Sequence, residues 1–448
     1  MKQNKQDLTQ GPLGRQILAF SFPLMISNVL QVLFNMTDIA VVGRFAGSLA
    51  LGAVGSTTTL VTLFTGILIG MAGGINVLVA LHFGAKSRKD LTETVHSAAI
   101  ISLITGLVIA LFGVYFARSI LELLKTKEDL IGGAVRYLRI YFLGMPALAM
   151  YNYGNAVFSA VGDTKRPLCY LSIAGVVNII LNLFFVIVCG MDVEGVATAS
   201  IISQYMSAVL VLSDLFRSRE IYGLRWSKLR LSRGKARVIL GIGIPSGMQN
   251  AIFQLANLFT QSGVNTFSTT MVAGNSAAMN ADGLVYDVMM AFYTACGSFM
   301  GQNYGAKKKD RVLKSYLISL GYSFGIGTAM GLTLVACGPQ FLSLFTKDPA
   351  VIEAGMYRLT IMGCSYGFSA FMDSTIAASR GLGKSVVPTI VVILGSCVFR
   401  IIWFYTVFAY FGTITSLYLL YICSWSVTAA AEIIYFVKIY REKMTGLA

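Results

Sequence analysis

The 448-residue sequence has little charge. Only 12% of its residues are Asp, Glu, Lys or Arg, and it contains 2 His and 8 Pro. Soluble domains usually carry about 25% charged residues. Hydrophobic residues make up 56% of the chain, and the mean hydropathy is +0.71. Apolar runs recur along the whole length, and runs of about twenty residues are long enough to cross a bilayer. The composition therefore excludes an ordinary soluble protein and predicts an all-α polytopic membrane protein.

Patterns typical of enzymes and metal sites are also missing. The 7 cysteines fall in apolar segments without metal-ligand spacing, which is typical of small core residues. The sequence has no HExxH motif and no Walker A motif, and its GxSxG match, GCSYG (363–367), lies within a predicted span and not at a strand-to-helix turn. An intramembrane enzyme and direct use of ATP are therefore disfavoured. We expect no catalytic residues, no cofactor, and no metal beyond a coupling Na⁺.

The net charge of +15 is spread over short loops, which argues against a nucleic-acid partner and for a topology signal. Of the 35 Lys and Arg residues, 26 lie at the termini or in the loops that join even to odd spans. By the positive-inside rule, both termini are predicted to be cytoplasmic, in a multi-pass protein of the cell (inner or plasma) membrane. The twelve predicted spans are about 16–43, 51–82, 94–117, 133–159, 168–190, 194–215, 237–265, 272–303, 313–337, 354–380, 386–411 and 414–438.

The two halves of the chain resemble each other. GRQILAFSFP (14–23) matches ARVILGIGIP (236–245), and HFGAKSRKD (82–90) matches NYGAKKKD (303–310), with an almost constant offset between the paired stretches. Six spans per half give parallel repeats, an arrangement found in alternating-access carriers. The predicted organisation is an N-lobe (1–215, spans 1–6), a basic cytoplasmic linker (216–236) and a C-lobe (237–448, spans 7–12), with the two six-helix lobes around a central cleft.

A polar stripe runs along the first span of each half. Its residues recur every three or four positions, so on a helix they share one face. Single amides often serve as interhelical packing contacts. Two matching stripes favour the wall of a solvated substrate cavity instead. The stripes are Asn28, Gln31, Asn35 and Asp38 in the first half, and Asn250, Gln254, Asn257 and Gln261 in the second.

Asp38 differs from the amides because an ionised carboxylate at membrane depth is costly. An interfacial Asp and a titratable site that binds H⁺ or Na⁺ are both consistent with its position, and the second reading is preferred. Pro23, fifteen residues earlier, interrupts the helix ladder and predicts a kink.

Other charged residues lie within the later spans. Asp287, Asp373 and Asp282 are candidates for a second ion site, with Arg400 as a counter-ion for Asp373 or Asp287. Glu432 lies six residues before Lys438, which favours an ion pair at the interface.

Taken together, the stretches that follow resemble the multidrug and toxic compound extrusion (MATE) family over about 14–440. They are FPLMISNVLQVLFNMTDIAVVGRFAG (22–47), HFGAKSRKDL (82–91), NAVFSAVGDTKRP (155–167), VVNIILNLFFVIVCGMDVEGVATASIISQ (176–204), GIPSGMQNAIFQ (243–254), GQNYGAKKKD (301–310) and SRGLGKSVVP (379–388). The resemblance implies two six-helix lobes and export of bulky, often cationic amphiphiles in exchange for Na⁺ or H⁺.

The resemblance also implies roles for residues of the first lobe. Asp38 falls on the position of the family's first-helix coupling carboxylate, with Pro23 at the kink. Asn155 and Asn178 match polar positions of the same ion site. Asn182 stands where an aspartate is expected and Ser200 where a threonine is expected, and the loss of one carboxylate favours protons over a tightly held Na⁺.

The second lobe departs further from the family pattern. Phe253 and Gln254 occupy the place of a seventh-helix glutamate, and Asp373 lies close to the tenth-helix acid position without falling on it. The predicted function is a monomeric antiporter that exports an organic cation or amphiphile through the bilayer. The alternative is a lipid or lipid-linked saccharide flippase of a related branch. It would need several cavity arginines, whereas Arg400 is the one deep arginine that the sequence indicates.

Overall fold

The computed structural model describes residues 7–446, and within that range the chain is helical, with no β-strand. The first six and last two residues of the predicted lobes lie outside the described residues. Helices of the first half are α1 (Leu13–Val41), α2 (Gly47–Gly84), α3 (Arg88–Leu123), α4 (Glu128–Leu143 and Met145–Ala160), α5 (Lys165–Leu183) and α6 (Val193–Arg217). Those of the second half are α7 (Arg233–Val264), α8 (Thr269–Gly305), α9 (Lys309–Ala336), α10 (Pro349–Gly381), α11 (Val386–Phe411, in segments) and α12 (Ile414–Thr445).

Each of the twelve predicted spans falls on one of these helices, which confirms the predicted fold class. By length and hydropathy alone, eight helical stretches of the described chain could cross a membrane, and the first of them contains both α1 and α2. The stretches left out are α4, α8 and α10. Helix α4 is interrupted at Gly144, while two acidic residues and many small polar residues lower the hydropathy of α8, and four charged residues lower that of α10.

Short π-helical segments interrupt or extend three helices. They are Val42–Ala46 after α1, Phe184–Val188 after α5, and Ile393–Val398 and Phe404–Phe408 within α11. A π-segment inserts a residue into the helical repeat and is frequent at functional sites. Such a segment shifts the phase of every side chain that follows it.

The repeat seen in the sequence extends to the backbone conformation. Lys86 and Lys307, both non-glycine residues with positive φ (54° and 58°), end the second helix of each half. Gly162 pairs with Gly383 in the same way, and Gly190 with Gly412. The members of each pair are separated by the offset of the sequence repeat, so the two halves share their turns as well as their helices.

The chain forms two compact units, here called unit 1 and unit 2, and they do not follow chain order throughout. Unit 1 contains Ile26–Gly247, and unit 2 contains Leu8–Met25 together with the chain from Met248 onward. The lobes predicted from the repeat follow chain order. In the structure, the first part of α1 belongs to unit 2 and the first part of α7 belongs to unit 1. Each boundary falls two residues after a helix proline, Pro23 or Pro245, where the hydrogen-bond ladder is interrupted.

Close packing holds the exchanged segments in place. In unit 2, Ile17, Phe20 and Leu24 of α1 are buried against Phe292 and Phe299 of α8. In unit 1, the first part of α7 approaches α2 at backbone distance. A side chain on Gly70 or Gly74 would overlap the α7 backbone at Gly247 and Gly243, so both positions require glycine.

Hydrogen bonds near the repeated loops fasten the segment that leads into each exchanged helix. In unit 2, Arg311 donates from Nη1 to the Gly11 carbonyl (2.8 Å), and Lys308 donates to the Thr9 carbonyl (2.7 Å). In unit 1, Lys235 donates to Asp90 Oδ1 (2.7 Å), and the Arg225 amide donates to His96 Nε2 (3.0 Å). Asp90 and Arg311 are each the third residue of the helix that follows the repeated loop, and they hold incoming segments in different units.

Candidate functional site

The polar stripe of α1 faces outward for part of its length. Gln31 and Asn35 are exposed, while Asn28 and Asp38 are half-buried. The stripe ends at Asp38, four residues before the π-segment Val42–Ala46. The side chains predicted to line a substrate cavity on this helix are therefore not packed into the core of unit 1.

Asp38 is the centre of a polar cluster built from α1, α5 and α6. Asn182 of α5 donates from Nδ2 to Asp38 Oδ1. Ser200 of α6 donates from Oγ to Asp38 Oδ2 at 3.1 Å. Asn182 also donates to Asn178 Oδ1 at 3.2 Å. Both carboxylate oxygens thus accept hydrogen bonds from side chains that are almost fully buried, with Asn182 0% and Ser200 5% exposed.

The oxygen atoms of this cluster outnumber its donors. The Oδ1 atom of Asn182 is buried and has no hydrogen-bond partner within the described part of the chain. Buried polar atoms usually have a partner, and each exception calls for an explanation. A cluster with one carboxylate and an unfilled amide oxygen can accept a single positive charge.

A close approach of α1 to α5 makes this cluster possible. The ring of Phe34, one turn before Asp38, lies against Gly175 of α5, where a Cβ atom would overlap it. The glycine therefore lets the two helices approach so that Asp38 reaches Asn182. The π-segment Phe184–Val188 begins directly after Leu183, so the predicted ion-site residue Asn182 lies at an irregular point of α5.

One residue of the predicted ion site has its hydrogen-bond partner outside this cluster. Asn155, on the second segment of α4, accepts a hydrogen bond from Ser159 Oγ at 3.4 Å. Two tyrosines of α4 that the sequence did not single out, Tyr137 and Tyr141, interact electrostatically with Asp38 instead. Their rings stack with centroids 5.8 Å apart. Helix spacing alone could not reveal them, because they lie on a different helix, far from Asp38 in the chain.

The stripe of α7 is half-buried along its length, at Asn250, Gln254, Asn257 and Gln261. Two of its amides are joined to buried arginines of unit 2. Asn257 Oδ1 accepts from Nη1 of Arg400 on α11 at 2.8 Å. Gln261 Oε1 accepts from Asn275 Nδ2 at 3.1 Å, and Asn275 Oδ1 accepts from Arg358 Nη1 at 3.0 Å.

Asp282, one of the candidates for a second ion site, is half-buried and is held in an ion pair with a buried arginine. Arg358 of α10 donates to Asp282 Oδ2 from Nε (2.9 Å) and from Nη2 (2.5 Å). Tyr366 donates to Asp282 Oδ1. A guanidinium therefore already balances this charge, which favours a structural role for Asp282.

Arg358 itself is 3% exposed and was not singled out in the sequence. The signal that identified Arg400, a charged residue inside an apolar span, could have identified Arg358 too.

Two expectations about charged residues of unit 2 were wrong. Arg400 does not pair with Asp373 or Asp287; its hydrogen-bond partners are Asn257 and Ser424. The charged neighbour of Asp373 is Arg380, because both lie on α10 seven residues apart, or about two turns.

Glu432 is 0% exposed instead of interfacial, and neither of its carboxylate oxygens has a hydrogen-bond partner within residues 7–446. Its electrostatic partner is Arg380, which interacts with Asp373 as well.

Comparisons with known proteins agree with the helical fold and with its repeat. The MatE family model matches residues 23–184 and 245–406, once in each half. The probable multidrug resistance protein YpnP of Bacillus subtilis is 30% identical over 365 residues, which cover 81% of each chain. A protein described as an FAD transporter, from Shewanella oneidensis, is 23% identical and the match also covers 81% of each chain.

A solved structure has the same fold. It is described as the outward-facing conformation of a multidrug resistance MATE family transporter of the MOP superfamily. It matches with a TM-score of 0.90 at 22% identity, covering 100% of this chain and 99% of that chain. Since the family model matches corresponding stretches of both halves and more than half of the chain, this protein belongs to the MatE family of multi-pass membrane transporters, related to multidrug resistance proteins, and is not an enzyme.

Proposed function

We propose that the protein is a secondary antiporter that exports bulky, cationic amphiphilic compounds in exchange for H⁺ or Na⁺, with Asp38 as the coupling group. The observation that carries this proposal is the cluster around Asp38. A single carboxylate, half-buried among apolar helices, accepts from Asn182 and Ser200, and no cationic side chain within the described residues pairs with it. Its charge can therefore be neutralised by an ion or by a cationic substrate, but not by both at once.

The geometry supports a coupling step that uses α1 itself. While Asp38 is ionised, its hydrogen bonds attach the second part of α1 to α5 and α6. Binding of a coupling ion removes the charge that these donors stabilise, and α1 is then free to repack. Pro23 is the point at which a bend costs least, because the ladder is already interrupted there. Because the coupling ion and the cationic substrate compete for Asp38, entry of the ion is coupled to export of the substrate.

Of the two ions, H⁺ is favoured by the chemistry of the cluster. Asn182 presents its amide nitrogen, a donor, to Asp38, whereas a Na⁺ ligand would have to be an oxygen. Na⁺ would require this amide to turn its Oδ1 toward the site. The Oδ1 atom is buried and without a hydrogen-bond partner among the described residues, so Na⁺ stays the second candidate.

The alternative is a lipid or lipid-linked saccharide flippase, for which several deep arginines would be expected. The sequence indicated one deep arginine, whereas Arg358 and Arg400 are both buried in unit 2. The argument from the sequence against a flippase is therefore weakened. Arg358 is neutralised by Asp282, however, which leaves a single uncompensated guanidinium of this pair for a pyrophosphate. We therefore keep the cation antiporter as the first proposal, with the protein as a monomer of the cell membrane and its termini in the cytoplasm.

Uptake into proteoliposomes tests the proposal. Purified protein is assayed with the cationic dye rhodamine 123 while a pH gradient or a Na⁺ gradient is imposed separately, for the wild type, Asp38→Asn and a control, Asp129→Asn. Asp129 is exposed at the start of α4, far along the chain from the cluster. We expect transport with one gradient, loss of it in Asp38→Asn, and wild-type rates in the control.

Two other results have different meanings. Gradient-driven transport that persists in Asp38→Asn would move the coupling site to Asp287 or Asp373 of unit 2. Absence of transport by folded wild-type protein under either gradient would contradict the cation proposal for this dye and shift weight to a lipid substrate.

A further inference from the structure

Arg139 is a charged residue on an otherwise apolar surface of unit 1. It lies on the first segment of α4, inside the predicted span 133–159, and its side chain is exposed. The groove that it borders has a volume of about 740 Å³. Pockets of about 300–1,000 Å³ commonly hold small molecules. The other residues that line the groove all belong to α3 and are apolar or aromatic: Leu111, Phe112, Val114, Tyr115 and Phe116.

The charge of Arg139 is not balanced by the protein, unlike the charges of two neighbouring arginines. Arg118 of α3 pairs with Glu122 at 2.8 Å, and Arg136 of α4 pairs with Glu194 of α6 at 2.9 Å. Arg139 lies about one turn beyond Arg136 on the same helix. No carboxylate in the described part of the chain pairs with it. A free guanidinium on the surface of a span calls for an anion from outside the protein.

The groove lies at the depth of the lipid headgroups. Helix α3 has 36 residues and is therefore ~54 Å long. It exceeds the hydrocarbon core of a bilayer by about 24 Å. Shared equally between the two ends, this excess places one boundary of the core about eight residues before Leu123, at Tyr115. Tyrosine is enriched at such a boundary, and an arginine at this depth reaches the lipid phosphates.

Packing beneath the groove fixes its aromatic wall. The ring centroids of Phe112 and Phe116 are 4.8 Å apart, and the centroid of Phe64 on α2 lies 6.0 Å from that of Phe112. Phe64 in turn packs edge-on against Phe142 of α4 at 5.1 Å. Gly113 lets α3 approach α4 closely, because a Cβ atom there would overlap the Phe142 ring. The groove therefore has its shape before any ligand binds.

The second half of the chain shows that the fold does not need this arginine. Helix α4 begins at Glu128 and α10 begins at Pro349. The twelfth residue is Arg139 in the first helix and Thr360 in the second. Both side chains are exposed, so neither contributes to core packing. A ligand of the first half explains this charge better than stability does.

A phospholipid with a net negative charge matches both parts of the groove. Its phosphate accepts hydrogen bonds from the guanidinium, and its acyl chains cover the apolar wall of α3. A zwitterionic headgroup would add an ammonium group where Glu122 and Glu194 are already paired with arginines. We propose that unit 1 contains a binding site for an anionic phospholipid, formed by Arg139 and the aromatic groove of α3. The inference does not depend on the ion or the cargo of the proposed antiporter.

Native mass spectrometry of the purified protein tests the proposal. Dioleoylphosphatidylglycerol and dioleoylphosphatidylcholine have the same acyl chains and differ in headgroup charge. The apparent dissociation constant of the first bound lipid is measured for the wild type, Arg139→Gln, Arg139→Lys, Tyr115→Ser and a control, Arg118→Gln. Arg118 is also exposed, and its loss changes the net charge by the same amount. The control therefore separates a local site from general attraction of anions.

We expect the wild type to bind the phosphatidylglycerol about tenfold more tightly than the phosphatidylcholine, and Arg139→Gln to lose most of this preference. Arg139→Lys should retain part of it, because lysine keeps the charge without the planar fork of donors. Tyr115→Ser should weaken binding of both lipids roughly threefold, since apolar contact with the chains is lost. Arg118→Gln should keep the preference of the wild type.

Two results would overturn the inference. One is equal affinity of the wild type for the two lipids, and the other is an equal loss of preference in Arg139→Gln and Arg118→Gln. A competition experiment distinguishes a lipid from a soluble phosphate. Glycerol 1-phosphate carries the phosphate without acyl chains and should leave the phosphatidylglycerol bound at millimolar concentrations. Displacement by this compound would identify a site for soluble phosphates and contradict the assignment to a lipid.

Discussion

The first and fifth helices of each half meet through buried polar side chains, but the charge differs between the two units. In unit 1, Asp38 on α1 accepts from Asn182 on α5. In unit 2, Asn257 on α7 accepts from Arg400 on α11. The amide lies on the fifth helix in one unit and on the first helix in the other. One unit therefore has a half-buried acid and the other a buried base at the crossing of corresponding helices.

This difference shows what a duplication conserves. The turns at Lys86 and Lys307, at Gly162 and Gly383, and the unit boundaries after Pro23 and Pro245 match across the halves. The charged groups do not match, because the backbone tolerates any side chain that its partners can satisfy. A shared scaffold thus supports two chemically distinct clusters, and the ion coupling that we propose belongs to the acidic one.

The largest effect is expected from removing the arginine that is paired. Arg358→Met leaves the half-buried Asp282 without its counter-charge, and we expect the free energy of unfolding to fall by about 3 kcal/mol, the lower end of the range for a buried pair. Thermal unfolding in detergent measures it. The double variant Arg358→Met/Asp282→Leu should recover most of the loss, since both charges are then absent. A single variant that melts with the wild type would show that the pair is not structural.

A second carboxylate in unit 1 should change the ion preference of the acidic site. Asn182→Asp replaces a donor to Asp38 by a like charge, and at about 4 Å such a pair repels by on the order of 4 kcal/mol at an effective dielectric constant of 20. A bound cation relieves this repulsion. We therefore expect Na⁺ to raise the melting temperature of Asn182→Asp more than that of the wild type, with K⁺ as the control salt. Equal effects of the two salts would contradict the prediction.

The smallest expected effect concerns one hydrogen bond. Ser200→Ala removes a donor to Asp38 that contributes about 1.5 kcal/mol, or roughly tenfold in ion affinity. If H⁺ is the coupling ion, loss of this donor destabilises the ionised Asp38 carboxylate, so Asp38 binds H⁺ more tightly. Half-maximal transport then needs a lower H⁺ concentration. If Na⁺ is the ion, it loses an oxygen ligand and half-maximal transport needs more Na⁺. The control is Ser203→Ala, because Ser203 donates to the Ser200 carbonyl and not to Asp38. An unchanged ion concentration at half-maximal transport would exclude Ser200 from the ion site.

Much of this architecture follows from local sequence patterns. Apolar runs, short stretches that recur in the second half and a polar spacing of three or four can each be read without knowing any long-range contact. These patterns predicted the helices, the repeat and the stripes. The resemblance to the MATE family added Asn178, Asn182 and Ser200, which the structure brings together with Asp38 or with one another. These three residues lie on other helices than Asp38, so no helical period could connect them to it.

The rest depends on packing between distant segments. Asp282 and Arg358 are 76 positions apart, and the burial of Glu432 depends on its neighbours in unit 2 and not on its distance from Lys438. The π-segments of α5 and α11 shift the side chains that follow them by a fraction of a turn, which a regular 3.6-residue period cannot anticipate. Hydropathy likewise does not show that α1 and α7 are each divided between two units.

The exchanged helix parts determine the order in which the nascent chain can complete its fold. Unit 1 includes α7 up to Gly247, so its glycine-lined α2 surface stays uncovered until the ribosome has passed that residue. The segment Leu8–Met25 is made early, yet it packs against α8, which begins at Thr269. A chain that stops in the 216–236 linker therefore lacks part of the first unit. Two separately translated halves would have to find each other in the membrane before either one is complete.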